Sequence, residues 1–174
     1  MKKQGINLLD PESMSFPLET LNEHRLFKTS LWRHIRSARL LVLLSVPLIY
    51  ACVVPFLLLD LSVAIYQSVC FPIYRIPKVR RRDYLIFDRG RLGYLNAIEK
   101  VGCIYCSYAN GLLPYIAEIA ARTEQYFCPI KHARHVMQPH SRNGHFLPYG
   151  DARVYRARSE AVAHAYGDLV TRTK

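Results

Sequence analysis

The chain has 174 residues, 24 Lys+Arg against 13 Asp+Glu, a formal net charge of +11 and 51% apolar residues. That length favours one compact domain, or a small domain with an appendage. The composition excludes intrinsic disorder and collagen-like repeats.

A mean hydropathy of +0.00 averages two unlike parts, an apolar insert and a polar remainder. The excess positive charge asks for an anionic partner, nucleic acid or anionic lipid. The five cysteines, Cys52, Cys70, Cys103, Cys106 and Cys128, are an odd number, which argues against a closed disulfide set.

The N-terminus Met1-Lys2-Lys3-Gln4-Gly5 is basic, but no apolar stretch follows within signal-peptide range, so no cleaved signal is expected. Without secretion, clustered cysteines read as metal ligands before disulfides. From Ser30 to Arg39, Trp32 stands among Arg33, Arg36 and Arg39, as at the interfacial start of a membrane helix.

Leu40 to Tyr74 holds a single charge, Asp60, and Leu40–Leu59 alone is 20 residues without one. That suffices to cross a bilayer core of ~30 Å. As one helix the whole run would extend ~52 Å, too long for one span. Two full spans with a turn would need ~40 residues. Pro47 and Pro55 are candidate breaks. Basic residues flank both ends: Lys28, Arg33, Arg36 and Arg39 before, Arg75, Lys78, Arg80, Arg81 and Arg82 after. Cytoplasmic flanks collect Lys and Arg. The expectation is therefore a short hairpin or re-entrant segment with both ends cytoplasmic. The competing arrangement is one span to about Leu59 followed by an interfacial helix. Asp60, costly in hydrocarbon, is placed at a hairpin tip or interface where it stays wet.

Lys78, Arg80, Arg81 and Arg82 read as contacts to anionic lipid headgroups. Nucleic acid is disfavoured as a partner, because no aromatic platform or recognition motif accompanies the block.

Beyond Arg82, Tyr84–Phe87 is a short strand candidate. Leu92, Leu95 and Ile98 give a helix over about 91–101, ended by Gly102. Asn110-Gly111 predicts a turn. Leu112 to Phe127 gives a second amphipathic helix, with Pro114 in its first turn. From Met137 a Pro- and Gly-containing loop follows, then a helix-compatible stretch, Tyr155 to Val170.

Cys103, Cys106, Cys128 and His132 form a Cys-x2-Cys, x21, Cys-x3-His set. A Cys-x2-Cys knuckle turns both sulfurs toward one ion. Cys128 and His132 would share a helix face, with Pro129 at the first helical position and Cys128 at the cap. Three thiolates and an imidazole complete a tetrahedral zinc site. His135 could replace His132, while His140 and His145 read as solvent-facing. Phosphate-loop, dinucleotide, His-Glu-x-x-His and covalent haem motifs are absent. The paired Glu-x-x-His repeats of a di-iron site are missing around Glu118 and Glu124.

The Cys-x3-His tail resembles the end of the CDGSH family of membrane-anchored 2Fe–2S proteins. This chain departs from that pattern with Cys-Ile-Tyr-Cys, Cys-Pro-Ile-Lys-His and a longer gap. The resemblance supplies a chemical precedent for an iron–sulfur cluster on the same ligands. Over about a third of the chain, the segments Ile-Pro-Lys-Val-Arg-Arg-Arg-Asp-Tyr, Cys-Ile-Tyr-Cys-Ser-Tyr-Ala-Asn-Gly and Ala-Ala-Arg-Thr-Glu-Gln-Tyr-Phe-Cys-Pro-Ile-Lys-His-Ala look like a family of bacterial membrane-associated proteins. That resemblance implies a bacterial origin and no stated activity.

The expected fold is mainly α: a membrane hairpin or re-entrant segment plus a small helical metal-binding domain facing the cytoplasm from the bacterial inner membrane. Its segments are 1–39, 40–74, 75–136 and 137–174. The expected function is that of a membrane-anchored accessory or adaptor protein with a structural zinc site and a protein partner in a membrane complex. Two alternatives are an iron–sulfur redox protein and a membrane enzyme using residues such as Asp60, Glu118 and Glu124 on a lipid-linked substrate.

Overall fold

The computed structural model describes residues 18–28 and 40–171. The interfacial start expected around Trp32, Arg33, Arg36 and Arg39 lies outside the described residues. Among the described residues the chain is mainly helical and has no strand. Its α-helices are α1 (Leu18–Leu26), α2 (Leu40–Ala51), α3 (Val53–Tyr74), α4 (Ala97–Phe127), α5 (Ala152–Ala163) and α6 (Gly167–Thr171). Two compact units form: Met1–Ser45 with Phe87–Ile104, and Val46–Ile86 with Tyr105–Lys174.

In the first unit, the His24 ring of α1 meets Tyr94 edge-on at 5.1 Å. Gly93 lies close beside it, where a Cβ would come 3.3 Å from His24 Cβ. The start of α4 is fixed by a reciprocal cap. Asn96 Oδ1 accepts the Glu99 N–H at 3.0 Å, and Glu99 Oε2 accepts the Asn96 N–H at 2.8 Å, so two orphan donors are satisfied at once.

In the apolar run, α2 and α3 are separated by Cys52 alone, which keeps right-handed helical angles (φ −64°, ψ −15°). No hairpin turn forms there. Instead Leu44–Tyr74 is one helical stretch long and apolar enough to cross a membrane, and its apolar window is only 6% buried. The prolines do not reverse it. Pro55 falls in the first turn of α3, where a missing N–H is tolerated. Around Cys52 the ladder is carried by Cys52 N–H to Ile49 O and Phe56 N–H to Cys52 O, both 3.3 Å.

Within the second unit α3 and α4 run parallel. Asp60 faces Tyr108, Gln67 faces Tyr115, and Tyr74 stacks on Tyr126. Parallel neighbours need a return connection, and the segment from Arg75 supplies it. Arg75 ends α3 in the left-handed region (φ 57°), with Arg75 N–H on Pro72 O and Ile76 N–H on Phe71 O. This is the two-bond helix stop that glycine usually occupies. The chain then doubles back along α3 and inserts Ile76, Val79 and Leu85 into a core with Phe71, Leu112, Tyr115, Ile119 and Tyr166.

Several local expectations are corrected here. Residues Tyr84–Phe87 form no strand. They pass over α4 with Leu85 buried and Ile86 and Phe87 exposed. Gly102 and Asn110-Gly111 do not end helices, because α4 runs through both to Phe127, and Pro114 lies in its interior. Gly111 has a packing reason: a Cβ there would come 2.6 Å from the Tyr84 carbonyl oxygen. Glycine thus marks a close approach between backbone segments.

The C-terminal part is irregular until Asp151 caps α5, accepting the Val154 N–H at 3.0 Å. His164 ends α5, so the expected continuous helix to Val170 is split into α5 and α6.

Three stability outcomes follow from the backbone. Arg75→Gly should stabilise the protein by about 1 kcal/mol, since it relieves a left-handed non-glycine residue. Gly111→Ala should cost about 2 kcal/mol. Gly102→Ala, with nothing within 4 Å, should instead gain about 0.5–1 kcal/mol. Thermal unfolding in detergent reads all three, and equal effects at positions 102 and 111 would contradict the packing.

Candidate functional site

On a helix this apolar, a carboxylate must find partners or water. Asp60 is buried, and it finds them inside the protein. Arg81, brought back by the return segment, pairs with Asp60 Oδ1, and the Tyr108 hydroxyl donates to Oδ2 at 2.9 Å. The Asp60 carboxylate raises the Arg81 guanidinium further above its usual range. Burial first, and then the bond to Asp60, push the Tyr108 phenol upward. Two turns along α3, Gln67 repeats the pattern. Its Oε1 accepts the Val79 N–H at 2.6 Å and its Nε2 donates to the Tyr115 hydroxyl at 2.9 Å. Leu57, Leu58, Leu61, Ile65, Val69 and Ile73 of the same helix are exposed. The helix is therefore polar inward and apolar outward.

This moves the basic block. Arg81 lies at the level of Asp60, ~21 Å back along α3 from Tyr74. Asp60 immediately follows the charge-free Leu40–Leu59. Lys78, Arg80 and Arg82 are exposed on the same segment, and Arg82 lies 3.8 Å from Asp83.

The four expected metal ligands are not brought together. Cys103 and Cys106 lie one turn apart within α4, with no knuckle, because the helix continues through them. Cys128 follows the last residue of α4 and does not cap a new helix. From Cys106 to Cys128 the helix rises ~33 Å, whereas zinc–ligand bonds are ~2.0–2.3 Å. His132 sits in irregular chain beyond, 3.9 Å from Glu124. All five cysteines are free. Among the described residues no group of three or more His, Cys, Asp or Glu is placed to hold an ion.

What does gather is a polar cluster on the second half of α4. Glu118 accepts from Arg122 Nε at 2.8 Å and from Ser141 Oγ at 2.5 Å. Arg122 Nη1 also donates to Pro77 O at 2.7 Å, which ties the return segment to α4. Glu124 lies between His132 and His140, the latter at 3.2 Å. His140 was expected to face solvent but is mostly covered. Its Nδ1 accepts the Arg142 N–H at 3.2 Å.

Arg142 is itself 2% exposed. It donates Nε to Gln125 Oε1 at 2.5 Å and Nη2 to Ala165 O at 2.9 Å, and it forks onto Asp168. Gln125 Nε2 donates to Val162 O and Ala165 O, and the Tyr166 hydroxyl to Arg122 O. Burial raises Tyr166 to about 12.

No family model, curated protein or solved structure matches the chain.

Of these residues, Asp60, Glu118, Glu124 and Arg81 stood out in the sequence for their chemistry. Gln67 did not, although its spacing of seven from Asp60 places both on one helix face. Arg142 carried no local signal, since its partners come from distant helices.

The hydrogen bond from Arg142 holds the Asp168 carboxyl below its ordinary 3.8. A depressed folded-state value contributes stability that is complete above the unfolded value and is lost as pH falls through the folded one. Stability should therefore drop below about pH 4 in the wild type, and Asp168→Asn should flatten that part of the curve. Identical acid slopes in melting temperature for the two proteins would refute the pairing.

Proposed function

We propose that the protein is a membrane-anchored accessory or adaptor protein, held in a bacterial inner membrane by one span with its polar unit on the cytoplasmic side. The observation that carries this reading is the exposed apolar surface of the charge-free run: Leu41, Leu44, Leu48, Val54, Leu57 and Leu58 are all turned outward. In water that arrangement exposes apolar surface without return, whereas against lipid it is the stable one.

The span that fits is the charge-free Leu40–Leu59. Asp60, Arg81 and the exposed Lys78, Arg80 and Arg82 then fall at the headgroup level, where each basic side chain is worth about 1 kcal/mol against anionic lipid. This supports the basic block as lipid contacts. Five free thiols suit a reducing compartment and so the cytoplasmic side. The adaptor role rests on the apolar outer face of α3 continuing past Asp60 through Leu61, Ile65, Val69 and Ile73, a stripe suited to a protein partner in the membrane complex.

Zinc or an iron–sulfur cluster on Cys103, Cys106, Cys128 and His132 would require α4 to break, and it has no part in this reading.

The expected result is a protein that stays in the membrane pellet after carbonate washing, with reporters at the two chain ends on opposite sides of the bilayer. Extraction by carbonate would overturn the anchor, and both reporters on one side would restore the hairpin. Metal analysis of the purified protein gives an independent check. Stoichiometric zinc released by Cys128→Ser but not by Cys52→Ser would overturn the arrangement of α4.

A further inference from the structure

Two cavities of the second unit adjoin at the pair of Glu124 and His132. One is an apolar groove of about 460 Å³ between α3 and α4, walled by Val63, Tyr66, Ile116, Ile119, Ala120 and Phe127, with Thr123 and Glu124 along it. From Ile116 to Phe127 it runs ~16 Å. The other is an open bowl of about 280 Å³ in the chain after α4. Lys131, His132, Arg134, His135 and Asn143 line it, with Ala133, Val136 and Pro139 as walls. His132 lines the bowl, Glu124 lines the groove, and they stand 3.9 Å apart.

The bowl has a definite chemistry. Its polar lining offers two permanent cations, two imidazoles and an amide, and no carboxylate. Among the described residues Lys131, Arg134 and His135 form no ion pair. Five groups that can donate hydrogen bonds around one concavity match the oxygens of a phosphate.

The bowl is also held in shape. Lys131 N–H donates to Leu147 O and Leu147 N–H to Pro129 O, both 2.8 Å. At its other end Asn143 N–H donates to His140 O at 3.1 Å, and the His140 ring lies 3.2 Å from Glu124. These bonds fix the two ends of the segment that lines the bowl.

We propose that this bowl binds a phosphate group. Its source is the headgroup of a phosphomonoester lipid whose chain lies in the groove, or free phosphate bound by the bowl alone. The lipid source rests on the membrane reading above. The groove begins one turn beyond Asp60, where that reading places the bilayer surface, and its far end opens beside the cations. The apolar lining suits an alkyl chain.

The test uses the full chain in detergent, with phosphatidic acid, phosphatidylcholine and inorganic phosphate as probes, read by native mass spectrometry and calorimetry. Removing two cations with Lys131→Gln plus Arg134→Gln should lower affinity for phosphatidic acid and for phosphate by roughly 30-fold. Both positions are exposed, so the fold is kept. Ala120→Trp fills the groove. If it abolishes phosphatidic acid binding and spares inorganic phosphate, the ligand is a lipid phosphate. If it spares both, the source is free phosphate. Unchanged affinity in the double variant, or phosphatidylcholine bound as tightly as phosphatidic acid, would overturn the proposal. Carbonate washing of the same variants separates the two readings, since loss from the membrane pellet indicts the anchor and leaves the bowl to be judged on inorganic phosphate.

Discussion

A carboxylate on an apolar helix sets the terms for the second unit. Asp60 must be matched, and its matching by Arg81 and Tyr108 requires both a chain that doubles back after Tyr74 and a second helix alongside. Gln67 enforces the same geometry with a neutral group. One amide holds the return segment through its oxygen and α4 through its nitrogen. Three layers, α3, the return segment and α4, are thereby tied at two heights by side chains that hydrocarbon alone would not tolerate. A buried polar network of this kind is costly when partly satisfied and specifying when complete. The apolar contacts of Phe71, Ile76, Val79 and Leu112 fill the space that these bonds define.

The same principle governs the far end of α4, with cations in place of the carboxylate. Arg122 and Arg142 are both buried, and each is surrounded by acceptors from separate segments. Arg122 joins Glu118 to the return segment. Arg142 joins Gln125 to α6, and its guanidinium also sits over the Tyr166 ring at 5.6 Å. A buried guanidinium with several acceptors fixes the directions of the chains that supply them, because its donors form a rigid fork. The positive charge of the chain is thus used in two ways, as interior fasteners and as the exposed rows at Lys78–Arg82 and Lys131–Arg134.

Much of the helical content was legible in the sequence, and the reasons for what was not are specific. The apolar run announced itself by length and lack of charge, and Leu112–Phe127 by its spacing. The stop signals misled. Gly102 and Asn110-Gly111 are local preferences worth about 1 kcal/mol, and packing against the return segment outweighs them. Asn110-Gly111 carries a local turn signal, whereas the role of Gly111, a contact with a backbone carbonyl 27 positions upstream, has no local signature. The proposed ligand set failed to assemble for the same reason. Spacing rules for Cys-x2-Cys presuppose a knuckle, and here both cysteines ride on an unbroken helix. Asp60 stands out as the one charge of the run, but it is buried rather than kept wet at a hairpin tip, and its partners Arg81 and Tyr108 are identifiable only from the chain reversal.

The sequence separations of these bonds have a consequence for how the protein is made. Asp60 leaves the ribosome 21 residues ahead of Arg81 and 48 ahead of Tyr108. At ~5–20 residues per second, its counter-ion arrives within roughly one to four seconds and its hydroxyl donor several seconds later. On the proposed membrane reading, the charge that ends the apolar stretch thus reaches the bilayer surface before either partner emerges, and water must serve it meanwhile. A residue at the edge of the span tolerates that wait, and one at its centre would not. The position of Asp60 immediately after twenty uncharged residues suits the schedule of synthesis as well as the finished fold.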